Sequence, residues 1–424
     1  MKRNNLILKE VLEKVKPTKE EFKTINKFVT KFLKEFKKSL KKEKIDAEVF
    51  IGGSFAKETL IKKGKYDVDI FVRFFEKYKD EEISDLAEKI LKNFKNVKKI
   101  HGSRDYFRVA VSPEIYLELI PVKKIKKPTE AKNSTDLSYA HVKYINKKTK
   151  SSKLLDEIRI AKAFVHANKC YGAESYIGGF SGYSLELLTI YYKSFLNFVK
   201  AISKIKEKEI IDIEKQYKNK KEIMIDINSS KLKSPIILID PTYKQRNALA
   251  ALKKETFEKF QNKCISFLKN PNIKFFKEEE IKIEKIKKQS KKSKEEFILI
   301  EAVTNKQEGE IAASKLKKFY EHLEKEISKF YEIKEKGFIY ESGKNASFFY
   351  SVKKKKEIIF NGPQINDKKN LEKFKKKHKK TFIKKGKIYA KEKITESLKD
   401  FLQGWKVNHK KRILEMSVKD FKII

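Results

Sequence analysis

The stretch Lys65-Tyr-Asp-Val-Asp-Ile-Phe-Val72 constrains the fold more than any other, because two carboxylates stand two residues apart at the head of an apolar run. Successive side chains of a strand point to opposite faces, so Asp67, Asp69 and Phe71 share one face, and Val68, Ile70 and Val72 share the other. Two like charges side by side are destabilising unless a cation neutralises them, and hard oxygen ligands at this spacing suit Mg²⁺. The plainer reading is a strand that begins at a solvated edge. Glu118 shifts the balance, since it stands alone in the apolar run Tyr116-Leu-Glu-Leu-Ile-Pro121, where a lone charge is costly to bury. If the two strands pair side by side, Asp67, Asp69 and Glu118 surround one site. That is the ligand set with which two Mg²⁺ ions activate a hydroxyl and stabilise a leaving pyrophosphate.

Upstream, Gly52-Gly53-Ser54 follows a short apolar strand. Its backbone N–H groups and the Ser54 hydroxyl can face a phosphate, with Lys57 nearby as a point charge. A Gly-Gly-Ser turn alone says little. Followed about ten residues later by Asp-x-Asp and then by a third strand carboxylate, it points to nucleotide chemistry.

The 424-residue length allows two to four domains of roughly 100–200 residues each. Phe22, Ile25, Phe28, Val29, Phe32 and Phe36 recur at threes and fours, which predicts an amphipathic helix within 11–42, with Pro17 where a helix can begin. Strands are expected at 49–51, 68–72, 107–111 and 115–120, with a helix at 83–94: a small mixed α/β module. Helical periodicity returns over 153–200, interrupted by Gly172, Gly178, Gly179 and Gly182. The charge-dense stretch 277–296 reads as a boundary or solvated linker, or as an edge strand through Ile281, Ile283 and Ile286. A second α/β region follows, with strands at 297–302, 338–340, 347–352 and 357–360 and one long covering helix at 311–330. The last 45 residues hold a strand at 387–390 and an amphipathic stretch at 398–407, which can return to pack on an earlier domain.

A net charge of +44 on a chain that is 40% apolar and 12% aromatic belongs to a foldable protein rather than a basic tail, and its first implication is a polyanionic partner. Only seven residues are arginine and the lysines run the whole length, so a lysine-rich compositional bias is the other reading. Cys170 and Cys264 lack CxxC spacing, which argues against a disulfide scaffold and a zinc module and fits a reducing compartment. With no apolar signal core at the start, and no stretch approaching 18 charge-free apolar residues, a soluble intracellular protein is expected.

The carboxylate and glycine constellation resembles the nucleotidyltransferase superfamily that includes DNA polymerase β. The resemblance narrows with Lys162, Tyr171-Gly-Ala-Glu174, Gly179-Phe-Ser-Gly-Tyr-Ser-Leu-Glu-Leu-Leu188 and Asp240-Pro-Thr-Tyr-Lys-Gln-Arg-Asn247. With Gly362-Pro363 and Ile388-Tyr-Ala390 in the same order, most of the chain is similar to the archaeal (class I) CCA-adding enzymes. The resemblance implies an α+β multidomain protein: a polymerase-β-like nucleotidyltransferase head at 1–152, a helical neck at 153–238, an α/β body at 239–300 plus 377–424, and a tail at 301–376. It implies template-independent addition of CCA to the acceptor end of tRNA from CTP and ATP, two Mg²⁺ ions, a cytoplasmic location and no membrane. Monomer and homodimer are both left open.

By the same resemblance, Asp67, Asp69 and Glu118 bind metal; Gly53, Ser54, Lys57, Lys162 and Tyr171 meet the triphosphate; His141 lies beside the nucleotide; and Arg246 meets the base. Cytosine N3 and adenine N1 are bare acceptors where uracil N3 and guanine N1 carry hydrogens, so a donor-only guanidinium can choose between the pairs. Plainer readings stand beside these: Arg246 as a cap next to Asp240, Tyr171 and Tyr183 as core aromatics, His141 as a surface histidine, and Glu174 and Glu186 as braces between helices. Lys57 stands where the family usually has Arg, Glu118 where it usually has Asp, and 309–316 lacks the usual pattern. The lysine runs 353–356 and 375–380 are either solvated faces or a track for phosphates. Two rival functions remain: another RNA nucleotidyltransferase of poly(A) polymerase or antitoxin-like type, and a non-catalytic RNA-binding protein on the same scaffold.

Overall fold

The computed structural model describes residues 2–102 and 104–424, which divide into two compact units, Met1–Glu279 and Glu280–Ile424. The first unit opens with two helices, α1 (Lys2–Val15) and α2 (Lys19–Lys42), where the apolar period over 11–42 suggested one. Pro17 explains the break, because it disfavours the α conformation at Lys16 and offers no N–H of its own. Thr18 then caps α2 in a reciprocal capping box with Glu21.

The buried stripe Ile25, Val29, Phe32, Phe36 and Leu40 lays α2 on a five-stranded sheet. Its strands are β1 (Ala47–Ile51), β2 (Tyr66–Phe74), β3 (Val97–Ile100), β4 (Tyr106–Ala110) and β5 (Ile115–Lys123), in the order β1-β2-β5-β4-β3. The short α3 (Gly53–Ala56) follows β1, and α4 (Ile83–Leu91) leads from β2 to β3. β2 and β5 run parallel while the other neighbours are antiparallel, and the register sets Asp69 directly opposite Glu118. Val68, Ile70, Val72, Leu117 and Leu119 face the core.

The rest of this unit is mainly helical: α5 (Ser138–Lys148), α6 (Ser152–Ala167), α7 (Gly182–Tyr192), α8 (Phe195–Lys204), α9 (Lys220–Asp226) and α10 (Lys254–Lys269). A small sheet, β6 (Glu209–Ile211), β7 (Ile236–Asp240) and β8 (Tyr243–Asn247), is set among them. Phe164, Phe180, Phe195, Phe198, Phe260 and Phe267 dominate the core, which also holds Leu8 of α1. Cys170 and Cys264 are buried there as free thiols.

The division between the units falls within the charge-dense stretch 277–296, as its reading as a boundary expected, but most of that stretch forms α11 (Ile283–Lys292) rather than a linker or an edge strand. Ile283, Ile286 and the buried Ser290 recur at helical spacing, and Ser290 meets Ser351 at 2.6 Å. A four-stranded antiparallel sheet follows, built of β9 (Glu296–Thr304), β10 (Tyr331–Ile339), β11 (Asn345–Lys354) and the C-terminal β15 (Val418–Ile423), in the order β10-β11-β9-β15. The expected helix at 311–330 is α12 (Glu310–Phe330), which buries Leu316, Phe319, Leu323 and Ile327 in the same core as the sheet. The expected boundary between residues 300 and 301 falls inside β9, whose two edges pair with β11 and β15. Between β11 and β15 lie a second sheet of β12 (Ile358–Gln364), β13 (Thr381–Lys384) and β14 (Lys387–Glu392), and the helices α13 (Lys368–Lys377), α14 (Leu398–Asn408) and α15 (Lys410–Glu415). Among the described residues no helix is long and apolar enough to cross a membrane.

Candidate active site

β1 runs into Gly52 and Gly53, and the backbone N–H of Gly52 donates to the Asp69 carbonyl at 2.8 Å. Gly53 has φ +58°, and a Cβ there would fall 1.6 Å from Asp69 Oδ2. The glycine turn therefore lies directly against the Asp69 carboxylate, with Ser54 on the first turn of α3. Asp67 and Asp69 project from one face of β2, and Glu118 stands beside Asp69 on β5. Desolvation, then the charges of Glu118 and Asp67, push the Asp69 carboxyl up to about 7 against the pull of Lys57 and Lys162. Glu118 is also raised, by burial and by Asp67, although Arg108 on β4 opposes this.

The three carboxylates feel one another without closing into one ligand set. Among the described residues no three His, Cys, Asp or Glu groups gather tightly enough to hold an ion, and Glu118 turns to Arg108, whose Nη2 and Nε donate at 2.6 and 3.1 Å. The donor chemistry still fits a divalent cation, because hard oxygens crowd here with more negative charge than the neighbouring lysines offset.

Next to this edge lies a buried lysine pair built on α7. Lys57 donates to Glu186 Oε2 at 2.6 Å and Lys162 to Oε1 at 2.8 Å, while Thr59 accepts from Lys162 at 2.8 Å and donates to Oε1 at 2.7 Å. Glu186 is completely buried. Burial alone would raise its carboxyl, but the charges and hydrogen bonds of the two lysines bring it down to about 2. Burial lowers the Lys162 ammonium to about 8, with Glu186 opposing. Two ammoniums against one carboxylate leave about one surplus positive charge, which both lysines exert on Asp69. Tyr171 stacks on His166 with ring centroids 3.6 Å apart, and the Lys63 ammonium lies 5.0 Å from its ring.

A second buried carboxylate, Asp240 at the end of β7, accepts from His141 Nε2 at 3.0 Å, Arg246 Nη1 at 2.7 Å and Tyr183 Oη at 2.9 Å. Against the upward push of burial, His141, Arg246 and the Thr242 N–H hold it well below the usual carboxylate range, while burial lowers the His141 imidazole. His141 stacks on Tyr183 at 3.9 Å, and Lys57 and Arg246 lie 5.9 and 6.0 Å from the Tyr183 ring. Arg246 is therefore ion-paired to Asp240, and His141 is buried rather than a surface residue.

Sequence reasoning singled out Glu118 as a lone charge in an apolar run, yet Glu186 in Leu185-Glu-Leu-Leu188 and Asp240 after Ile236-Ile-Leu-Ile239 carry the same signal. Arg108, Thr59 and Tyr183 were missed as partners, because their roles depend on contacts across strands and helices.

A glycine turn thus lies against a paired-carboxylate strand, with two buried lysines acting on its Asp69. A family model described as a nucleotidyltransferase domain matches residues 29–135, and one described as tRNA nucleotidyltransferase, second domain, matches 156–277. The chain is similar to the CCA-adding enzyme of Nanoarchaeum equitans, 45% identical over 212 residues that cover 50% of this chain and 52% of that enzyme. It is also similar to the CCA-adding enzyme of Methanocaldococcus jannaschii, 29% identical over 402 residues that cover 91% of this chain and 86% of that enzyme. Thus the alignment spans about half the length of the first relative and most of the second. A solved structure of a cytoplasmic RNA terminal U-transferase superposes with a TM-score of 0.52 at 13% identity, covering 66% of this chain and all of that one, which shows a shared fold. Enzymes of this fold generally use divalent metal ions.

Proposed function

We propose that this protein adds the 3′-terminal CCA to tRNA from CTP and ATP, without a nucleic-acid template, in the cytoplasm. The observation that carries the reading is that Asp69, paired in register with Glu118 and two residues from Asp67, also feels the charges of the buried lysines Lys57 and Lys162, so that a cation site would adjoin a phosphate site. Asp67 and Asp69 would hold Mg²⁺, with Glu118 joining them on leaving Arg108. Two bound ions would ease deprotonation of the tRNA 3′ hydroxyl and take up charge on the leaving pyrophosphate. Lys57 and Lys162 orient the triphosphate with the turn at Gly53 and Ser54, and Tyr171 lines it. Lys57 is a weaker orienting group than the family's usual arginine, since an ammonium cannot make a bidentate contact. His141 and Arg246 face the sugar and base.

The unit Met1–Glu279 carries the chemistry in this reading, Arg246 and Asp240 included, while Glu280–Ile424 holds the tRNA away from its 3′ end. Incubation with tRNA lacking CCA and labelled CTP or ATP tests it. Three additions ending in A support it, and a long homopolymer favours a poly(A) polymerase type. No addition, with tRNA still bound, favours a non-catalytic RNA binder.

Two outcomes follow from the geometry. Gly53→Ala drives a methyl into the Asp69 carboxylate and strains a positive φ, so addition falls on the order of a hundredfold, the cost of an ångström-scale misplacement. Single-turnover addition by folded variant checks this. Binding of tRNA weakens steeply with salt, with a logarithmic slope of roughly −0.7 to −0.9 per neutralised phosphate. A slope near zero in a filter-binding titration would remove the lysines from the interface.

A further inference from the structure

Asp240 ends a strand in which all five residues, Ile236–Asp240, are buried, and its own exposure is 0%. Its Oδ1 accepts from Tyr183 Oη at 2.9 Å and from the Thr242 backbone N–H and hydroxyl, both at 2.8 Å. Its Oδ2 accepts from His141 Nε2 at 3.0 Å and Arg246 Nη1 at 2.7 Å. A carboxylate offers about four lone-pair sites, so this one is saturated. A helix cap needs one such bond. Here the bonds reach α5, α7, the turn after β7, and β8.

The consequence for each partner is a loss of freedom. Arg246 spends one nitrogen on Asp240, which tethers one end of the guanidinium and narrows the range its other donors can sweep. Its side chain stays 26% exposed, so those donors can still be reached. His141 gives its Nε2 proton to Asp240, which leaves Nδ1 as an acceptor in the neutral ring. Tyr183 ties its hydroxyl to the same carboxylate and stacks on His141.

We propose that Asp240 is a positioning residue for base choice: its buried carboxylate holds Arg246 and His141 as one rigid unit, so the guanidinium meets the base edge in a single direction. The inference rests on the reading of the chain as a CCA-adding enzyme. A fixed direction matters because uracil carries acceptors at O2 and O4 on either side of its N3–H. A guanidinium free to swing would find them, whereas one aimed at position 3 accepts cytosine and meets a hydrogen on uracil.

The test is a double-mutant cycle on the full chain with tRNA lacking CCA, reading kcat/KM for CTP and for UTP. Asp240→Asn lowers the CTP-over-UTP ratio by at least about tenfold, the range expected when a well-aimed base contact is lost. In the double variant Asp240→Asn, Arg246→Ala, the ratio equals that of Arg246→Ala alone, because one residue acts through the other. A merely structural role lowers the folded fraction and both rates together, which leaves the ratio unchanged and overturns the proposal. Equally, a double-variant ratio that is the product of the two single effects overturns it. Should Asp240→Asn yield no folded protein, Tyr183→Phe removes one of the bonds that hold the carboxylate; a severalfold fall in the ratio supports the proposal and an unchanged one overturns it. A wild-type chain that adds no CMP fails the functional reading itself, whereas one that prefers CTP with unaltered variants fails only the role of Asp240.

Discussion

Asp69→Asn abolishes nucleotide addition, by on the order of a thousandfold or about 4 kcal/mol of transition-state stabilisation, while tRNA affinity changes little. The substitution preserves volume, so the contact with the Gly53 turn and the parallel pairing of β2 with β5 survive. What it removes is the ionisable carboxyl that feels Asp67, Glu118 and both lysines, and that a bound cation would hold in its charged form. A carboxamide holds a divalent ion far less well than a carboxylate. Single-turnover transfer of labelled CMP measures the first effect and filter binding the second. Addition at a near wild-type rate would take Asp69 out of the reaction.

The second large effect concerns stability. Glu186→Gln leaves Lys57 and Lys162 buried without their shared counter-charge, and breaking such a pair costs about 3–5 kcal/mol. Denaturant titration should show that loss as a lower midpoint with an unchanged slope. The pH dependence gives an independent check. The Glu186 carboxyl stands at about 2 in the folded chain against an ordinary value of 4.5, so its contribution is fully present above the ordinary value and is lost as pH falls toward 2. Wild-type stability therefore drops across that acid window more steeply than that of the Gln variant. Equal slopes would show that the lysines are neutralised by other means. Lys57→Met should partly rescue Glu186→Gln, since it removes one of the stranded cations.

Legibility followed periodicity. The stripe on α2, the alternation in β2 and the long amphipathic α12 are strong periodic signals, and these elements appear where they are expected. β3 was missed because Val97-Lys-Lys-Ile100 shows too little apolar alternation, and its pairing with β4 is what makes it a strand. The extra break before α2 was legible in Pro17 and Thr18 but was passed over for the longer apolar period. In the candidate site, sequence distance was the obstacle. Lys57 and Glu186 are 129 residues apart and His141 and Asp240 are 99 apart, and nothing local says that two lone charges will share a cavity. Asp67, Asp69 and Glu118 needed only one assumption, the pairing of two strands, and the register supplies it.

Helix α1 is translated well before the partners on which it packs. Leu8 of α1 shares a core with Phe164, Phe198 and Phe267, and the helix packs on α6 and on the single turn Ile273–Phe276. Fourteen residues are too few to hold an isolated helix in water, so α1 has no stable structure until those partners exist. At roughly 5–20 residues per second, the wait for the last of them is on the order of 10–50 s. Through that interval Leu8, Val11 and Leu12 are held in a nascent chain with no surface to bury them. The nascent chain is therefore open to chaperones and proteases until most of the first unit has been translated.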